Sequence, residues 1–199
     1  MSKFNELKAE ILSCQKCPEL VKSRTKVVFG CGNEQAEILF IGEAPGANED
    51  KQGLPFCGMS GKILNELLTS ANLQREDIFI TNTVLCRPPN NRNPAKDEIE
   101  NCRERLNKLI EIMRPKVIVT IGNFATERIL GKNGIKSMRG KVHSVIFDGQ
   151  EIKVVPVIHP ASYLYSGRNP QMLKEMKVDF KTISSLIMLQ KQQKQLGEF

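Results

Sequence analysis

Four of the six cysteines have the spacing of ligands to a metal centre. Cys14 and Cys17 form a C-x2-C pair, and Cys86 and Cys102 form a wider pair farther along the chain. Without an export signal we expect reduced thiols, for which paired spacings favour metal binding over disulfides. Four thiolates can hold zinc or a [4Fe-4S] cluster, and the wide second spacing favours the cluster. The alternative is a set of four buried structural thiols.

The other two cysteines and one of the two histidines are predicted to have no chemical role. Cys31 and Cys57 lie in glycine-flanked segments without a partner at ligand spacing, so we assign both to packing. His143 lies in a polar hairpin segment, and we expect it at the surface. His159 has a different setting, because it ends an apolar strand and precedes a proline.

A glycine-rich acidic segment at residues 42–50 (GEAPGANED) follows the first predicted strand. It lacks the G-x-x-x-x-G-K pattern of a phosphate-binding loop and the G-x-G-x-x-G pattern of a dinucleotide site, which argues against a kinase or a dehydrogenase. The segment carries the carboxylates Glu43, Glu49 and Asp50. It predicts either a ligand-binding turn or a solvated acidic loop.

Two uncharged residues near predicted loops have side chains suited to binding a base. Phe56 lies in a glycine-flanked loop, where an aromatic face can stack on a flipped base, although an isolated Phe is more often part of a core. Asn82 follows a predicted strand, and its amide offers one donor group and one acceptor, although such an Asn is more often a cap or turn residue.

Alternating strands and helices must position these residues. Apolar runs predict strands at 36–41, 77–85, 116–121 and 153–158, and helical spacing predicts helices at 3–13, 61–71, 95–113 and 172–189. Pro18 is predicted to end the first helix, and Asp148-Gly149 to turn a hairpin. Alternation of this kind predicts a parallel sheet covered on both faces, which binds ligands at the carboxyl ends of its strands.

Composition gives a broader prediction of partner and compartment. The chain has 29 Lys and Arg against 22 Asp and Glu, a net charge of +7 that favours an acidic partner such as nucleic acid. Basic helix segments at 103–108 and 174–181 are either phosphate contacts or solvated faces. No apolar run reaches spanning length, so we expect a cytoplasmic protein that binds no membrane. We expect one domain over residues 1–199, with a frayed tail after about 190.

Several of these segments together resemble a known family. The motifs are GEAPGANED, GLPFCGMSGKIL, TNTVLCRPPNNRNP and HPASYL, combined with the four paired cysteines. They closely resemble the family 4 (iron–sulfur, thermostable-type) enzymes of the uracil-DNA glycosylase superfamily, over residues 3–186. The resemblance implies an α/β fold, specifically a three-layer α/β/α sandwich with a central four-stranded parallel sheet. It also implies a structural [4Fe-4S] cluster held by the four paired cysteines.

The resemblance further implies roles for the strand-end residues. Phe56 would stack on the extruded uracil, Asn82 would read its polar edge, and His159 would donate a hydrogen bond to O2. Glu43 would lie beside the sugar and the attacking water. Gly42 and Glu49 would line the base pocket, with Glu49 near C5 of the base.

One departure from the better-known family 1 enzymes concerns the general base. Ala44 stands where those enzymes have an Asp, which leaves either Glu43 or no side chain as the base. The loop after His159 would wedge into the duplex, with Leu164, Tyr165 and Arg168 as candidates.

The predicted activity is that of a monofunctional uracil-DNA glycosylase, which would start base excision repair by leaving an abasic site. We expect a monomer acting on uracil-containing DNA, single- or double-stranded. The alternative is a relative with a four-cysteine metal site that binds nucleic acid without catalysis or traps it covalently.

Overall fold

A computed structural model describes the backbone of residues 1–196 and the side chains of residues 1–189. The strands are β1 Cys31–Gly32, β2 Ile38–Gly42, β3 Ile78–Asn82, β4 Val117–Ile121, β5 His143–Phe147 and β6 Gln150–Val157. The helices are α1 Lys3–Leu12, α2 Pro18–Ser23, α3 Ala47–Gln52, α4 Met59–Ser70, α5 Lys96–Met113, α6 Asn123–Leu130, α7 Ile135–Met138, α8 Pro160–Tyr165 and α9 Pro170–Leu196. Short 3-10 turns occupy Arg75–Asp77 and Pro89–Asn91.

The strands form one sheet in the order β1-β3-β2-β4-β6-β5. The four central strands β3, β2, β4 and β6 are mutually parallel, as predicted. The predicted central four-stranded parallel sheet is therefore confirmed, and β1 and β5 extend it to six strands as antiparallel edges. Strand β5 joins β6 through the predicted hairpin at Asp148-Gly149, where both residues have positive φ. Strand β1 could not be predicted, because two residues are too few to show a periodic signal.

Helices cover both faces of the sheet, which confirms the three-layer architecture. Alternate residues of β2 enter two separate cores, since side chains of a strand point to opposite faces. Leu39 and Ile41 pack with α1 and α5, whereas Ile38 and Phe40 pack with α4 and α9. All five residues of β2, β3 and β4 are buried, as expected for a sheet covered on both sides.

Three predicted loops contain short helices that sequence periodicity did not reveal. The acidic segment forms α3, and the segment after His159 forms α8. Pro18 does not merely follow α1, because it is the first residue of α2, where its missing N–H costs nothing. Each of these helices has six residues, which is less than two full turns and too short to show an apolar stripe.

The predicted C-terminal helix is longer than expected. Helix α9 begins at Pro170 and continues to Leu196, so the backbone of residues 190–196 is helical. The rest of the predicted frayed tail, residues 197–199, lies outside the described residues. Within the described part of the chain, no helix is long and apolar enough to cross a membrane.

Packing of α9 on the sheet gives a direct test of the fold. Phe180 is 1% exposed, and its ring centroid lies 6.0 Å from that of Phe40 in β2. We expect Phe180→Ala to lower the free energy of unfolding by about 3–5 kcal/mol, since it leaves a cavity between α9 and the sheet. Val178→Ala on the same helix is the matched control, because Val178 is 58% exposed. It should cost about 0.5 kcal/mol or less in urea unfolding; equal losses would contradict this packing.

Candidate active site

The carboxyl ends of three parallel strands deliver the candidate residues to one cleft. Glu43 follows β2, Asn82 ends β3, and His159 lies just beyond β6. The cleft has a volume of about 430 Å³, and it is lined by Glu43, Glu49, Phe56, Asn82 and His159. The structure thus brings together these five residues, which are far apart in the sequence. A larger groove of about 960 Å³ at α1 and the end of α5 contains none of them.

Gly42, which was expected to line the base pocket, is not part of the cleft lining, but it packs directly against Asn82 and Phe56, which are. It pairs with Asn82 in the register of β2 and β3. A Cβ on Gly42 would fall on the Asn82 side-chain oxygen and would lie 3.0 Å from the Phe56 ring. The absence of a side chain therefore lets the amide and the ring come together at the cleft.

The Asn82 side chain has hydrogen-bonding capacity left for a ligand. The residue is 3% exposed, yet its amide forms no hydrogen bond with the side chains and backbone that the structure describes. The adjoining backbone is fixed, because the Thr83 N–H and hydroxyl both donate to the Gly42 carbonyl at 2.9 Å. Because Asn82 lines the open cleft, a ligand or water there can satisfy the amide.

Phe56 is held in an unusual backbone conformation beside His159. Its φ of 50° lies in the left-handed region, which is uncommon for a bulky residue. The Phe56 carbonyl accepts a hydrogen bond of 2.8 Å from Arg75 Nη2, and Gly61 packs so closely on it that a Cβ would collide. The ring stacks on His159 with centroids 5.7 Å apart and planes at 29°. Strain of this kind persists only where neighbouring contacts fix it, and it often marks a functional site.

His159 is held as a neutral imidazole. It caps the N-terminus of α8, and its Nδ1 accepts a hydrogen bond of 3.1 Å from the Ala161 N–H. Because Nδ1 is the acceptor, Nε2 carries the proton and is the donor. Burial lowers the pKa of His159 to about 4, and the charge of Glu49 only partly opposes this. The residue can therefore donate a hydrogen bond without carrying positive charge at neutral pH.

The three carboxylates of the acidic segment have different surroundings. Burial raises the pKa of Glu43, which lines the cleft. Glu49 is fixed at the cleft by the Gly58 N–H, which donates to Oε1 at 3.2 Å. Asp50 is 2% exposed and accepts hydrogen bonds from the backbone N–H groups of Thr25 and Lys26, so its role is structural. Only two of the three carboxylates therefore reach the cleft.

The rim of the cleft combines a predicted residue with residues that the sequence analysis missed. Tyr165, at the end of α8, lines the rim and is 89% exposed, whereas Leu164 and Arg168 do not line it. Asn91 and Asn93 line the cleft from the loop after β3. That loop was recognisable as a proline-asparagine segment, but its place across the cleft depends on the fold.

The fold brings the four paired cysteines together from three parts of the chain. Cys14 and Cys17 lie just before α2, Cys86 lies in the loop after β3, and Cys102 lies in α5. All are free thiols, and Cys86 and Cys102 are buried. Burial, with a smaller contribution from the charges of Cys86 and Cys17, raises the pKa of Cys102 to about 11, and these contributions reflect the proximity of the three thiols. The charge of Cys14 acts in the same way on Cys17 and Cys86. Among the side chains of residues 1–189, no three Cys, His, Asp or Glu groups converge on a single metal-ion position.

The remaining titratable residues bear on three further expectations. Cys31 and Cys57 are only half-buried, and the Arg75 charge acts on both. His143 is half-buried on the edge strand, with Nε2 buried and without a described partner, so the expectation of a surface position was wrong. In the basic helix segments, ion pairs favour solvated faces over phosphate contacts; they join Arg103 to Glu100, Lys108 to Glu104 and Lys177 to Glu66.

Fold and site together define an α/β protein with a polar cleft of about 430 Å³ at the carboxyl edge of a parallel sheet, and comparisons with known proteins agree. The model of the uracil DNA glycosylase superfamily matches residues 29–181. A type-4 uracil-DNA glycosylase of Archaeoglobus fulgidus is 46% identical, with 94% of each chain covered. Type-4 enzymes of Sulfurisphaera tokodaii and Saccharolobus solfataricus are 45% and 43% identical; each match covers 94% of this chain, and 86% and 88% of the relatives. The chain therefore belongs to the uracil-DNA glycosylase superfamily and, within it, to the type-4 group.

The protonation state of His159 can be measured directly. We expect its imidazole to titrate near pH 4 instead of its ordinary 6.5, because burial disfavours the charged form. The folded protein then binds fewer protons than the unfolded chain between these values, so the free energy of unfolding should fall as the pH is lowered from 6.5 towards 4. NMR titration of the imidazole nitrogens, assigned with a His143→Gln variant, checks this. A His159 that titrates near 6.5 would rule out burial as its controlling influence.

Proposed function

We propose that this enzyme hydrolyses the N-glycosidic bond of deoxyuridine in DNA, releases uracil and leaves an abasic site without cutting a phosphodiester bond. The observation that carries the proposal is the meeting of an unpartnered Asn82 amide, a neutral His159 and a fixed Phe56 ring in one cleft. Release of the damaged base is the first step of base excision repair.

Recognition of the base would use the side of the cleft formed by Phe56 and Asn82. Extruded from the helix, uracil would stack on the Phe56 ring and present its N3–H and O4 to the Asn82 amide, which offers a matching acceptor and donor. A buried amide that pairs with only one base edge discriminates strongly against mismatched edges. Glu49, fixed against Gly58, would lie near C5, where a thymine methyl has to fit.

Catalysis would depend on stabilising the uracil anion as the glycosidic bond breaks. The Nε2–H of His159 is proposed to donate to O2, where negative charge develops. One well-placed donor to a developing anion contributes roughly 3–4 kcal/mol. Because the imidazole is already neutral and held by the Ala161 N–H, it requires no proton transfer or reorientation before the reaction. Glu43 is proposed to lie beside the sugar and orient the water, since Ala44 offers no carboxylate.

DNA binding would place the exposed Tyr165 against the base stack. Its 89% exposure at the rim suits an aromatic wedge, with Leu164 and Arg168 flanking it on the same segment. Flipping costs less at a mismatched pair, which favours uracil opposite guanine over uracil opposite adenine. A monomer acting on single- or double-stranded DNA remains the proposed working form.

The four paired cysteines are proposed to hold a [4Fe-4S] cluster. Four thiolates can hold zinc or a [4Fe-4S] cluster, and the wide spacing of Cys86 and Cys102 favours the cluster. The cationic Arg24 Nη1 donates to Cys86 Sγ at 3.1 Å, as befits a thiolate ligand. When bound, the cluster would cross-link the start of the chain to α5 and the loop after β3.

The alternative activity is not favoured. A covalently trapping relative needs a nucleophilic histidine in an inserted loop after the glycine-rich turn. Here that segment is the short helix α3, and it contains no histidine. A binding protein without catalysis would not require the strained ring and the unpartnered amide at the cleft.

Asn82→Ala tests the proposed site. We expect excision to fall by about 100- to 1000-fold, because the variant loses the hydrogen bonds to uracil that strengthen as charge develops. The substrate is a duplex with one uracil opposite guanine, treated with hot alkali after incubation, beside an identical duplex with thymine. Wild-type protein should give cleavage at uracil alone and only after alkali. Asn5→Ala, an exposed position on α1, is the control and should keep full activity; wild-type turnover by Asn82→Ala would remove Asn82 from the site.

Cys86→Ser tests the cluster. We expect the variant to lose both the brown colour and bound iron, and to unfold at lower temperature, since metal binding and folding are coupled. The matched control is Cys31→Ser, because Cys31 is a half-buried thiol outside the proposed ligand set. A stable, fully coloured Cys86→Ser protein would refute the ligand role of Cys86.

A further inference from the structure

Two arginines beside the four cysteines have no carboxylate partner among the described residues. Arg24 is one of them, and it is half-buried. Its Nη1 donates to Cys86 Sγ at 3.1 Å, and its Nη2 donates to the Cys14 carbonyl at 2.7 Å. One guanidinium therefore contacts one member of each cysteine pair.

Arg105 is the second of these arginines, and it is more deeply buried than Arg24. It lies on α5 near Cys102 and is only 6% exposed, and its Nε is buried without a hydrogen-bond partner in the described structure. Arg105 and Cys102 line the same small cavity of about 10 Å³. A cavity of this size is at the lower limit for one water. Such a water would satisfy the N–H group, but it would not neutralise the charge.

Two half-buried arginines elsewhere in the described chain have side-chain or backbone partners. Arg139 lies within ion-pair distance of Glu175 and Asp179. Arg128 donates to the Asn107 side chain and to a backbone carbonyl. A buried cation that lacks an anion is strongly destabilising. The environment of Arg105 therefore calls for a negative charge that the described carboxylates do not supply.

The proposed cluster would supply that charge. Four thiolates around a [4Fe-4S] core with two positive charges leave two negative charges overall. The charges of the carboxylates Asp97 and Glu98 act on Cys17. Glu98 is already bound by Arg92 at 2.7 Å, so it does not serve either of the two arginines.

We infer that Arg24 and Arg105 are the counter-charges of the cluster, where they raise its reduction potential and protect it from oxidative loss. The inference rests on the proposed cluster. Reduction adds one electron from an external reductant, which takes the cluster and its thiolates from two negative charges to three. Nearby cations favour the more negative state, and hydrogen bonds to the sulfurs act in the same direction. Both are positioning residues, because they act through the cluster and do not touch the substrate.

The test compares reduction potentials of the cluster-containing protein. Arg105→Met and Arg24→Gln remove the charges while keeping much of the side-chain volume, and Arg105→Lys retains charge. Arg128→Met is the matched control, because Arg128 is a half-buried arginine that donates to the Arg103 carbonyl and the Asn107 side chain and to no thiol. The readouts are the potential from EPR-monitored titration and the rate of colour loss in air.

Each charge-removing variant should lower the equilibrium constant for reduction by roughly tenfold, which is 59 mV for one electron. Both should also lose colour faster in air, whereas Arg105→Lys and Arg128→Met should stay close to wild type. If Arg105→Met does not fold, Arg24→Gln and Arg105→Lys decide the question.

Unchanged potentials in folded, fully coloured Arg24→Gln and Arg105→Met proteins would overturn the inference and leave the cluster itself standing. If Arg105→Met does not fold, an unchanged potential in folded, fully coloured Arg24→Gln protein alone would overturn the inference. Absence of iron from anaerobically prepared wild-type protein would overturn the cluster proposal, and this inference with it. Neither result depends on base excision, which the alkali assay measures separately.

Discussion

The pairing of β2 with β3 brings Gly42 opposite Asn82, and most of the candidate site depends on this one register. A slip of one residue would turn Asn82 towards the other face of the sheet, because strand side chains alternate. The register is fixed by buried apolar residues on both faces of both strands. The two hydrophobic cores thus position an amide at the cleft, although neither core contains a polar group that could bind a base.

Preorganisation at the cleft is achieved through contacts that lie behind it. Phe56 keeps its left-handed backbone because Arg75 binds its carbonyl and Gly61 leaves room for it. His159 keeps one tautomer because the first turn of α8 donates to Nδ1. In both cases folding itself supplies the free energy that fixes the orientation of the side chain, so a bound base would contact groups that are already oriented.

Charge is distributed differently at the two centres of the molecule. The cleft contains a neutral imidazole, His159, beside the carboxylates Glu43 and Glu49, and burial raises the pKa of Glu43. The cysteine centre is flanked by the cations Arg24 and Arg105. The loop from Cys86 to Asn93 connects the two, since it begins at a proposed cluster ligand and ends at the rim of the cleft. Loss of the cysteine centre would therefore disturb the rim as well as the core to which Cys86 and Cys102 belong.

Much of this architecture could be predicted from the sequence, because it depends on local patterns. Strand and helix order, the parallel centre of the sheet and the placement of Asn82 and His159 at strand ends all follow from apolar periodicity. The motifs that resemble family 4 enzymes also singled out the residues that line the cleft. By contrast, the six-residue helices α2, α3 and α8 could not be predicted, since fewer than two turns show no apolar stripe.

Only the tertiary structure decided the protonation, backbone conformation and pairing of the residues at the two centres. The neutral form of His159, the locked backbone of Phe56 and the unpaired charge of Arg105 each depend on burial or on partners that the fold supplies. Sequence spacing limits what a residue can be near, but it does not give the depth at which the residue is buried. Burial determines which protonation states and which unpaired groups a site can hold, and it is set by the packing of helices on the two faces of the sheet.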